Sequence, residues 1–158
     1  YMNINFVEMI NQTTGEFAEK FEKRNLQIVL NVPEKPVMVR TDGRRMWRVI
    51  ENIYNNAAKY ALEGTRVYAD LIEKEHTVEF SLKNISEQPL NISADELTER
   101  FIRGDVSRST EGSGLGLSIA KNLTELQGGK FELYLDGDLF KVTIVFPKAV
   151  VGQSVTKS

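Results

Sequence analysis

The chain has 158 residues, of which 41% are hydrophobic and 27% are charged, a composition typical of globular proteins. A chain of this length can bury enough surface to fold as one domain without disulfides or a structural metal. It has no cysteine and one histidine, which excludes disulfide frameworks, thiolate zinc sites, cysteine nucleophiles and two-histidine metal sites. The formal net charge is -2, so no overall basic field recruits nucleic acid or an anionic membrane, and any anion site must be local.

The sequence shows neither a membrane-spanning segment nor an N-terminal signal peptide. No apolar run approaches the roughly 20 residues of a membrane-spanning helix, and the opening Tyr1-Met2-Asn3 lacks the pattern of a signal peptide. Because the first residue is not Met, we expect a fragment of a longer protein. The lack of cysteine and of an export signal favours the cytoplasm. We expect a single domain over residues 1–147 and a disordered tail over 148–158.

The first third of the chain predicts one helix and two strands. Apolar residues at helical spacing predict a helix over 3–23, in which Gly15 is a weak point. Two short β-branched runs, 27–32 and 37–39, predict strands joined by a tight connection that contains Pro33 and Pro36.

A second helix is predicted over 43–62, with Asp42 placed as its N-cap and Gly64 placed to end it. Its core-facing stripe consists of five apolar residues at helical spacing: Met46, Val49, Ile50, Ile53 and Ala57. Two strands follow over 65–75 and 77–84.

The last part of the chain alternates irregular and regular segments. Residues 85–113 are mostly irregular, apart from a short helix over 93–101 that a capping box opens. A helix over 114–126 is predicted to bury its leucines and isoleucine, namely Leu115, Ile119, Leu123 and Leu126. A closing hairpin joins strands 130–135 and 139–146 through Asp136-Gly137-Asp138. This order predicts one sheet with helices on one face.

The second helix carries a polar stripe beside its apolar one. The stripe falls within one sector of the helix and consists of Arg45, Arg48, Asn52, Asn56 and Lys59. Asparagine is a poor helix former, so asparagines at 52, 55 and 56 indicate a role other than helix stability, although a solvated face is the alternative for the basic residues. Asn52 and Asn56 lie four residues apart, so their amides can converge on one ligand.

These amides suit a particular kind of ligand. A neutral carbonyl oxygen suits Mg²⁺ that shares its coordination sphere with phosphates, because a carboxylate would repel the phosphate charge. Lys59 is a candidate phosphate cation. Tyr60 lies between the two stripes and is either a core aromatic or a stacking partner for a base.

A glycine-rich segment, 110–117, precedes the last predicted helix. Its backbone N–H groups at 112–116 could approach phosphate oxygens at a helix N-terminus, although such a loop can also be a simple connection. Just upstream, Arg100, Arg103 and Arg108 lie in the long irregular stretch, which favours either a lid over phosphates or a solvated loop.

Three motifs in order give these features a family resemblance. Residues 52–60, Asn-Ile-Tyr-Asn-Asn-Ala-Ala-Lys-Tyr, resemble the N box of sensor histidine kinases. Residues 99–105, Glu-Arg-Phe-Ile-Arg-Gly-Asp, resemble the F box of that family, and 111–121, Glu-Gly-Ser-Gly-Leu-Gly-Leu-Ser-Ile-Ala-Lys, its second glycine box. The resemblance covers about 4–147 and identifies the catalytic and ATP-binding domain of such a kinase, in the GHKL superfamily.

The resemblance implies a Bergerat fold that binds ATP and Mg²⁺. This fold is an α/β (α+β) two-layer sandwich, a mixed sheet with helices on one face. Asn56 would hold Mg²⁺, Asn52 and Lys59 would contact the phosphates as the catalytic pair, and Tyr60 would stack on adenine. The triphosphate would be surrounded by Arg103 and the second glycine box, with Gly112, Leu115, Gly114 and Gly116 assigned to nucleotide binding.

One departure from the family pattern concerns the adenine site. After the second central strand the family has Asp-x-Gly-x-Gly, whose Asp accepts a hydrogen bond from the adenine amino group. Here Asn84 stands at the Asp position and both glycines are absent. A neutral amide gives a weaker acceptor than a carboxylate, which affects both ATP affinity and nucleotide preference.

The resemblance also implies partners that the chain lacks. The phosphoaccepting histidine of the family lies in a separate dimerisation domain, and a response regulator acts downstream. The only histidine here, His76, is predicted on the surface at a strand turn. We expect a monomeric fragment from a membrane-anchored parent.

Two alternatives to a kinase stay open. One is an ATP hydrolase of the same fold, whose general-base Glu lies four residues before the metal Asn. That position is Asn52 here, and Glu51 is rotated by about 100°. The other is a degenerate nucleotide-binding module without chemistry.

Overall fold

The computed structural model describes residues 1–88 and 113–149. The elements in chain order are β1 (Met2–Asn5), α1 (Phe6–Lys23), β2 (Gln27–Asn31), β3 (Met38–Thr41), α2 (Gly43–Tyr60), β4 (Arg66–Glu73), β5 (Thr77–Ile85), α3 (Ser113–Leu126), β6 (Lys130–Asp136) and β7 (Leu139–Pro147). The predicted helix over 93–101 and the arginine-containing stretch up to 112 lie outside the described residues.

The main sheet has five strands in the order β2-β4-β5-β7-β6. β2 runs parallel to β4, and the other neighbouring strands are antiparallel, so the sheet is mixed as predicted. Apolar residues alternate along the central strands and are buried on one face, where Phe80 of β5 pairs with Leu71 of β4 and Ile144 of β7. The helices pack on this face, which confirms the predicted two-layer arrangement.

A second, two-stranded sheet departs from the predicted single sheet. β1 pairs antiparallel with β3, with Ile4 opposite Val39. The helix predicted from residue 3 therefore begins only at Phe6, and Asn5 caps it by accepting a hydrogen bond from the backbone of Glu8 at 3.3 Å. Helical spacing alone could not show this boundary, because the partner strand lies far along the chain.

An aromatic cluster joins α1, α2 and β5. Tyr54 of α2 is fully buried and stacks on Phe80, with 6.2 Å between ring centroids and 3° between planes. Its ring also lies 5.5 Å from that of Phe17 and 6.2 Å from that of Phe21. The hydroxyl of Tyr54 lies 2.7 Å from Oγ1 of Thr14 in a hydrogen bond. Burial raises the pKa of Tyr54 to about 12, and the hydrogen bond with Thr14 opposes that rise.

The buried face of α3 differs from the predicted one. The helix runs over Ser113–Leu126, but Leu126 is 61% exposed, so its predicted burial is wrong. Ile119 and Leu123 are only partly buried, and the side chain of Leu115 lies outside the described residues. The buried positions lie one step round the helix, at Leu117, Ser118, Ala120 and Thr124.

A buried amide explains this rotation of α3. Gln127, directly after the helix, accepts a hydrogen bond at 3.0 Å from the backbone N–H of Asp42 and donates one at 3.0 Å to the carbonyl of Leu123. The C-terminal end of α3 is thereby attached to the N-terminus of α2. Satisfying a polar group in this way allows it to occupy a buried position that hydrophobicity would assign to leucine.

The remaining elements follow the predicted order. The β6–β7 hairpin turns at Gly137, whose φ is 60°, and His76 is exposed in the β4–β5 turn. Beyond β7, Lys148 donates to the carbonyl of His76 and Ala149 to that of Met38, so the chain stays paired past the predicted domain end at 147. Residues 150–158 lie outside the described part. Among the described helices none is long and apolar enough to cross a membrane.

Candidate functional site

The cap and the apolar stripe of α2 are as its sequence predicts, but its polar stripe is partly buried. Asp42 caps the helix, accepting from the backbone of Arg44 at 3.0 Å and of Arg45 at 3.2 Å, and the five-residue apolar stripe is buried. Asn56 is 7% exposed, although it belongs to the polar stripe. Asn55 turns the other way, towards α1, where Nζ of Lys20 donates to its Oδ1 at 3.2 Å. The three asparagines of α2 therefore do not share one role.

The glycine-bearing start of α3 lies against α2 at Asn52. A Cβ atom placed on Gly116 would lie 3.9 Å from both Cγ and Oδ1 of Asn52. The Nδ2 atom of Asn52 is buried and has no hydrogen-bond partner among residues 1–88 and 113–149. An unsatisfied buried donor of this kind is rare in folded proteins and is consistent with a missing ligand. The two motifs that the sequence singled out are thus brought together by the fold.

The first turn of α3 contains both Gly114 and Gly116. The first four N–H groups of a helix have no partner within the helix, and the helix dipole adds a partial positive charge there. Gly116, in this first turn, lies next to Asn52. An anionic group such as a phosphate fits such an arrangement.

The C-terminal end of α2 is held by a clamp that the sequence did not reveal, formed by Arg24 and Glu87. Nη1 of Arg24 donates to the carbonyls of Ala58 at 2.8 Å and Lys59 at 3.0 Å, while its Nη2 contacts Oε2 of Glu87 at 2.8 Å. The backbone N–H of Glu87 donates to the carbonyl of Tyr60 at 2.8 Å. With Ala61 donating to Ala57, all four terminal carbonyls of the helix are satisfied.

The clamp brings the end of β5 beside the last turns of α2. Ser86 pairs with Ala61, and Asn84, two residues earlier, is 4% exposed. Lys59 is exposed and Tyr60 is half-buried on the adjoining turn of the helix. The sequence-predicted residues on α2, β5 and α3 thus line neighbouring parts of the fold. Arg103 and Gly112 lie outside the described residues.

The side chains of this region could hold a metal ion only together with a bound ligand that supplies further oxygen atoms. Within 1–88 and 113–149, no three His, Asp or Glu side chains come together to hold a metal ion. The neutral amide of Asn56 could supply one oxygen ligand. Magnesium is commonly bound in this way, by few protein groups together with substrate phosphates.

The fold and these motifs agree with a known family. Residues 41–150 match the family described as histidine kinase-, DNA gyrase B- and HSP90-like ATPases. The chain belongs to this family of ATPase domains, with the catalytic domains of histidine kinases as its relatives.

Curated relatives are sensor proteins much longer than this chain. It is 33% identical over 148 residues to the sensor protein KdpD of Clostridium acetobutylicum, a match that covers 87% of this chain and 16% of KdpD. It is 30% identical over 142 residues to the sensor protein VanSC of Enterococcus gallinarum, covering 89% of this chain and 39% of VanSC. The chain therefore spans less than half of either relative.

Solved structures support the same assignment. The nucleotide-free catalytic domain of the histidine kinase ThkA superposes with a TM-score of 0.80 at 25% identity, covering 93% of this chain and 95% of that domain. ThkA in complex with the response regulator protein TrrA gives a TM-score of 0.77 at 23% identity, covering 94% of this chain and 42% of ThkA. The architecture is thus that of a histidine kinase catalytic domain.

Proposed function

We propose that this chain binds ATP together with Mg²⁺ and transfers the γ-phosphoryl group to a histidine on a separate dimerisation domain. A response regulator then receives the group downstream. The observation that carries the proposal is that Asn52, one helical turn before Asn56 on α2, lies beside Gly116 at the start of α3. Family membership and the fold support ATP as the nucleotide.

Each residue of the site has a separate task in this proposal. Asn56 supplies an amide oxygen to Mg²⁺, and that ion neutralises phosphate charge when bound. Asn52, whose buried Nδ2 atom has no partner in the described part of the chain, donates a hydrogen bond to a phosphate oxygen. Lys59 contributes a positive charge to the phosphates, and Tyr60 packs on the base. Arg103 and the backbone of Gly112, Gly114 and Gly116 enclose the triphosphate, with Leu115 beside them.

The chemistry requires little beyond this positioning. The bond between the γ-phosphorus and the bridging oxygen breaks, and a bond from phosphorus to the imidazole nitrogen of the acceptor forms. Phosphoryl transfer depends mainly on alignment and on stabilising charge, which amides, backbone N–H groups and Lys59 supply. The nucleophile is a side chain of the partner domain, so this chain provides no nucleophile of its own.

The residue at position 52 favours a kinase over a hydrolase. Attack by water is assisted by a general base, an effect worth about 10² to 10⁴-fold. Asn52 can orient a group but cannot take a proton at neutral pH. The neighbouring Glu51 points about 100° away around the helix.

The metal assignment can be tested by calorimetric titration with a non-hydrolysable ATP analogue, with and without Mg²⁺. We expect Mg²⁺ to strengthen binding to the wild-type chain. Asn56→Ala should lose most of this Mg²⁺-dependent gain, because it removes the only amide oxygen assigned to the ion.

Asn55→Ala is the matched control for this experiment. It removes the same amide from the adjacent position of the same helix, where the side chain contacts Lys20 instead. We expect it to keep the full Mg²⁺ dependence. The same Mg²⁺ dependence in the wild type and Asn56→Ala would reject the metal role, and no binding of the analogue to the wild type would reject the proposed function.

A further inference from the structure

The five-stranded sheet has a second face, opposite the one that the helices cover. The even-numbered residues of β4 and β6 and the odd-numbered residues of β5 and β7 belong to this open face, because their neighbours along each strand are buried in the core or packed against it. Apart from Ser81, the side chains of the open face are exposed or half-buried. The open face therefore lies on the side of the sheet away from α2 and the proposed nucleotide site.

One row across the open face combines two lysines with two tyrosines. Lys83 of β5 lies directly opposite Lys141 of β7. The outer partners of these lysines are Tyr68 of β4 and Tyr134 of β6, and we call the four residues the lysine–tyrosine row. Nζ of Lys83 lies 5.1 Å from the ring centroid of Tyr68. Tyr134 is 53% exposed, whereas both lysines are half-buried.

The two lysines of the row are unfavourable for the sheet by themselves. Residues directly opposite each other on neighbouring strands have Cβ atoms about 5 Å apart, and like charges at such positions repel. Neither lysine forms an ion pair within residues 1–88 and 113–149, whereas Lys74, Lys121 and Lys148 each contact a carboxylate at 3.2 Å or less. An anionic partner would offset this repulsion, so the row is suited to bind one.

A cleft of about 500 Å³ opens beside the Tyr68 end of the row. Its walls include Gln27, Arg66, Tyr68 and Ile85, and none of the described residues that line it is acidic. Arg66 is exposed and is a further cation next to the row. Ligand clefts commonly have volumes of about 300–1,000 Å³ and combine apolar surface with a few polar groups. The cleft thus offers room for a side chain of an anionic partner.

The neighbouring side chains limit the kind of anion that fits the row. Two residues further along their strands lie Asp70 of β4 and Glu132 of β6. On the other side of the row lies Asp136, which accepts a hydrogen bond from the hydroxyl of Tyr134 at 3.4 Å. Positive charge is therefore confined to a narrow row with carboxylates beside it. A polynucleotide needs a longer track of cations, because its affinity comes from many phosphate contacts. A short segment with few carboxylates fits better.

We propose that the lysine–tyrosine row docks an acidic segment of a partner protein. Carboxylates of the segment pair with Lys83 and Lys141, and an aromatic side chain packs on Tyr68 at the cleft. The row spans three strand spacings, about 14 Å, which an extended segment of about four or five residues can cover. This docking does not depend on the proposed function, since the nucleotide site lies on the helix side of the sheet.

The proposal is tested by fluorescence anisotropy with a short peptide of alternating Glu and Tyr residues that carries an uncharged dye. We expect saturable binding to the wild-type chain that weakens as the salt concentration rises. The double variant Lys83→Gln/Lys141→Gln should bind the peptide about tenfold more weakly, which corresponds to a few-fold for each lost charge pair. Its Tm should stay close to that of the wild type, because the removed repulsion offsets the lost contact with Tyr68.

Lys23→Gln/Lys130→Gln is the matched control. It removes the same charge from an exposed position of α1 and from a position of the open face outside the row. It should bind the peptide as the wild type does. Equal loss of affinity in the two double variants would overturn the proposal, and so would the lack of saturable binding to the wild type. Equal binding of a peptide with Gln in place of Glu would overturn it as well.

Two competitors distinguish the open face from other sites and partners. A non-hydrolysable ATP analogue with Mg²⁺ should leave the peptide bound, whereas displacement of the peptide would overturn the proposal by placing it in the nucleotide site. A single-stranded oligonucleotide should compete weakly with the peptide. Binding of the oligonucleotide more tightly than the peptide would overturn the acidic segment as the partner in favour of a nucleic acid.

Discussion

Substituting Gly116 by alanine should raise the stability of the chain and lower its affinity for ATP. Gly116 is the fourth residue of α3, and its φ lies outside the left-handed region. Alanine is favoured over glycine in a helix by up to about 1 kcal/mol, and the added Cβ would meet Asn52 only at 3.9 Å, an ordinary contact distance. We therefore expect a gain of about 0.5–1 kcal/mol, or roughly 1–4 °C in Tm.

The same methyl group should hinder the ligand. It would occupy the space between the start of α3 and Asn52, where we place the phosphates. A loss of roughly tenfold in ATP affinity, about 1.4 kcal/mol, is expected from the displaced contacts. Thermal unfolding without nucleotide and calorimetric titration with the ATP analogue measure the two effects separately.

Gly15→Ala provides the matched control. Gly15 lies inside α1, and a Cβ there would meet nothing within 4 Å. It should raise Tm similarly and leave ATP affinity unchanged. If Gly116→Ala is stabilised and binds ATP as tightly as Gly15→Ala does, the phosphates do not lie between α3 and Asn52, and the site geometry is wrong.

Three further predictions test the fold around the site, each by chemical or thermal unfolding. Gly129→Ala should destabilise the chain by about 1–3 kcal/mol, because its Cβ would lie 2.8 Å from a ring carbon of Phe146; wild-type stability would contradict this packing. Arg24→Ala should lower the free energy of unfolding by about 2 kcal/mol, because two helix carbonyls and Glu87 lose their charged partner. Glu87→Gln should lower it less, because the contacts of Arg24 with the carbonyls remain. Equal losses in the two variants would show that the carbonyl contacts contribute nothing. Tyr54→Phe should remove an alkaline loss of stability. In the folded wild type the pKa of Tyr54 is raised from 10.0 to about 12, so the unfolded chain loses this proton at a lower pH than the folded chain does. The free energy of unfolding of the wild type should therefore fall by about 2–3 kcal/mol as the pH rises from about 10 to 12. The variant should show a pH dependence weaker by that amount, and identical profiles would refute the burial effect.

Features of the fold set by local patterns could be predicted from the sequence. The apolar stripe of α2, its Asp42 cap and the β6–β7 hairpin at Gly137 follow from residue spacing and turn chemistry, and the structure confirms them. β1 could not be predicted, because four residues become a strand only by pairing with β3. The predicted burial of Leu126 on α3 was wrong. Which side of α3 faces the core depends on a hydrogen bond between Gln127 and the distant Asp42.

The same division applies to the candidate site. The pairing of Asn52 with Asn56 follows from helical spacing within one helix. The contact between Gly116 and Asn52 depends on how α3 docks on α2, which no local pattern shows. Arg24 left no signal either, because a basic residue after a helix usually interacts with its own helix, whereas this one caps α2.

The central claim is tested most directly by measuring phosphate release and phosphohistidine formation side by side. The purified chain is incubated with ATP and Mg²⁺, alone and with a histidine-bearing dimerisation domain from its parent. We predict slow phosphate release by the chain alone, and phosphohistidine on the added domain that is abolished when its histidine is replaced. Rapid ATP turnover by the chain alone would contradict the account in favour of a hydrolase, and tight ATP binding with neither activity would contradict it in favour of a binding module.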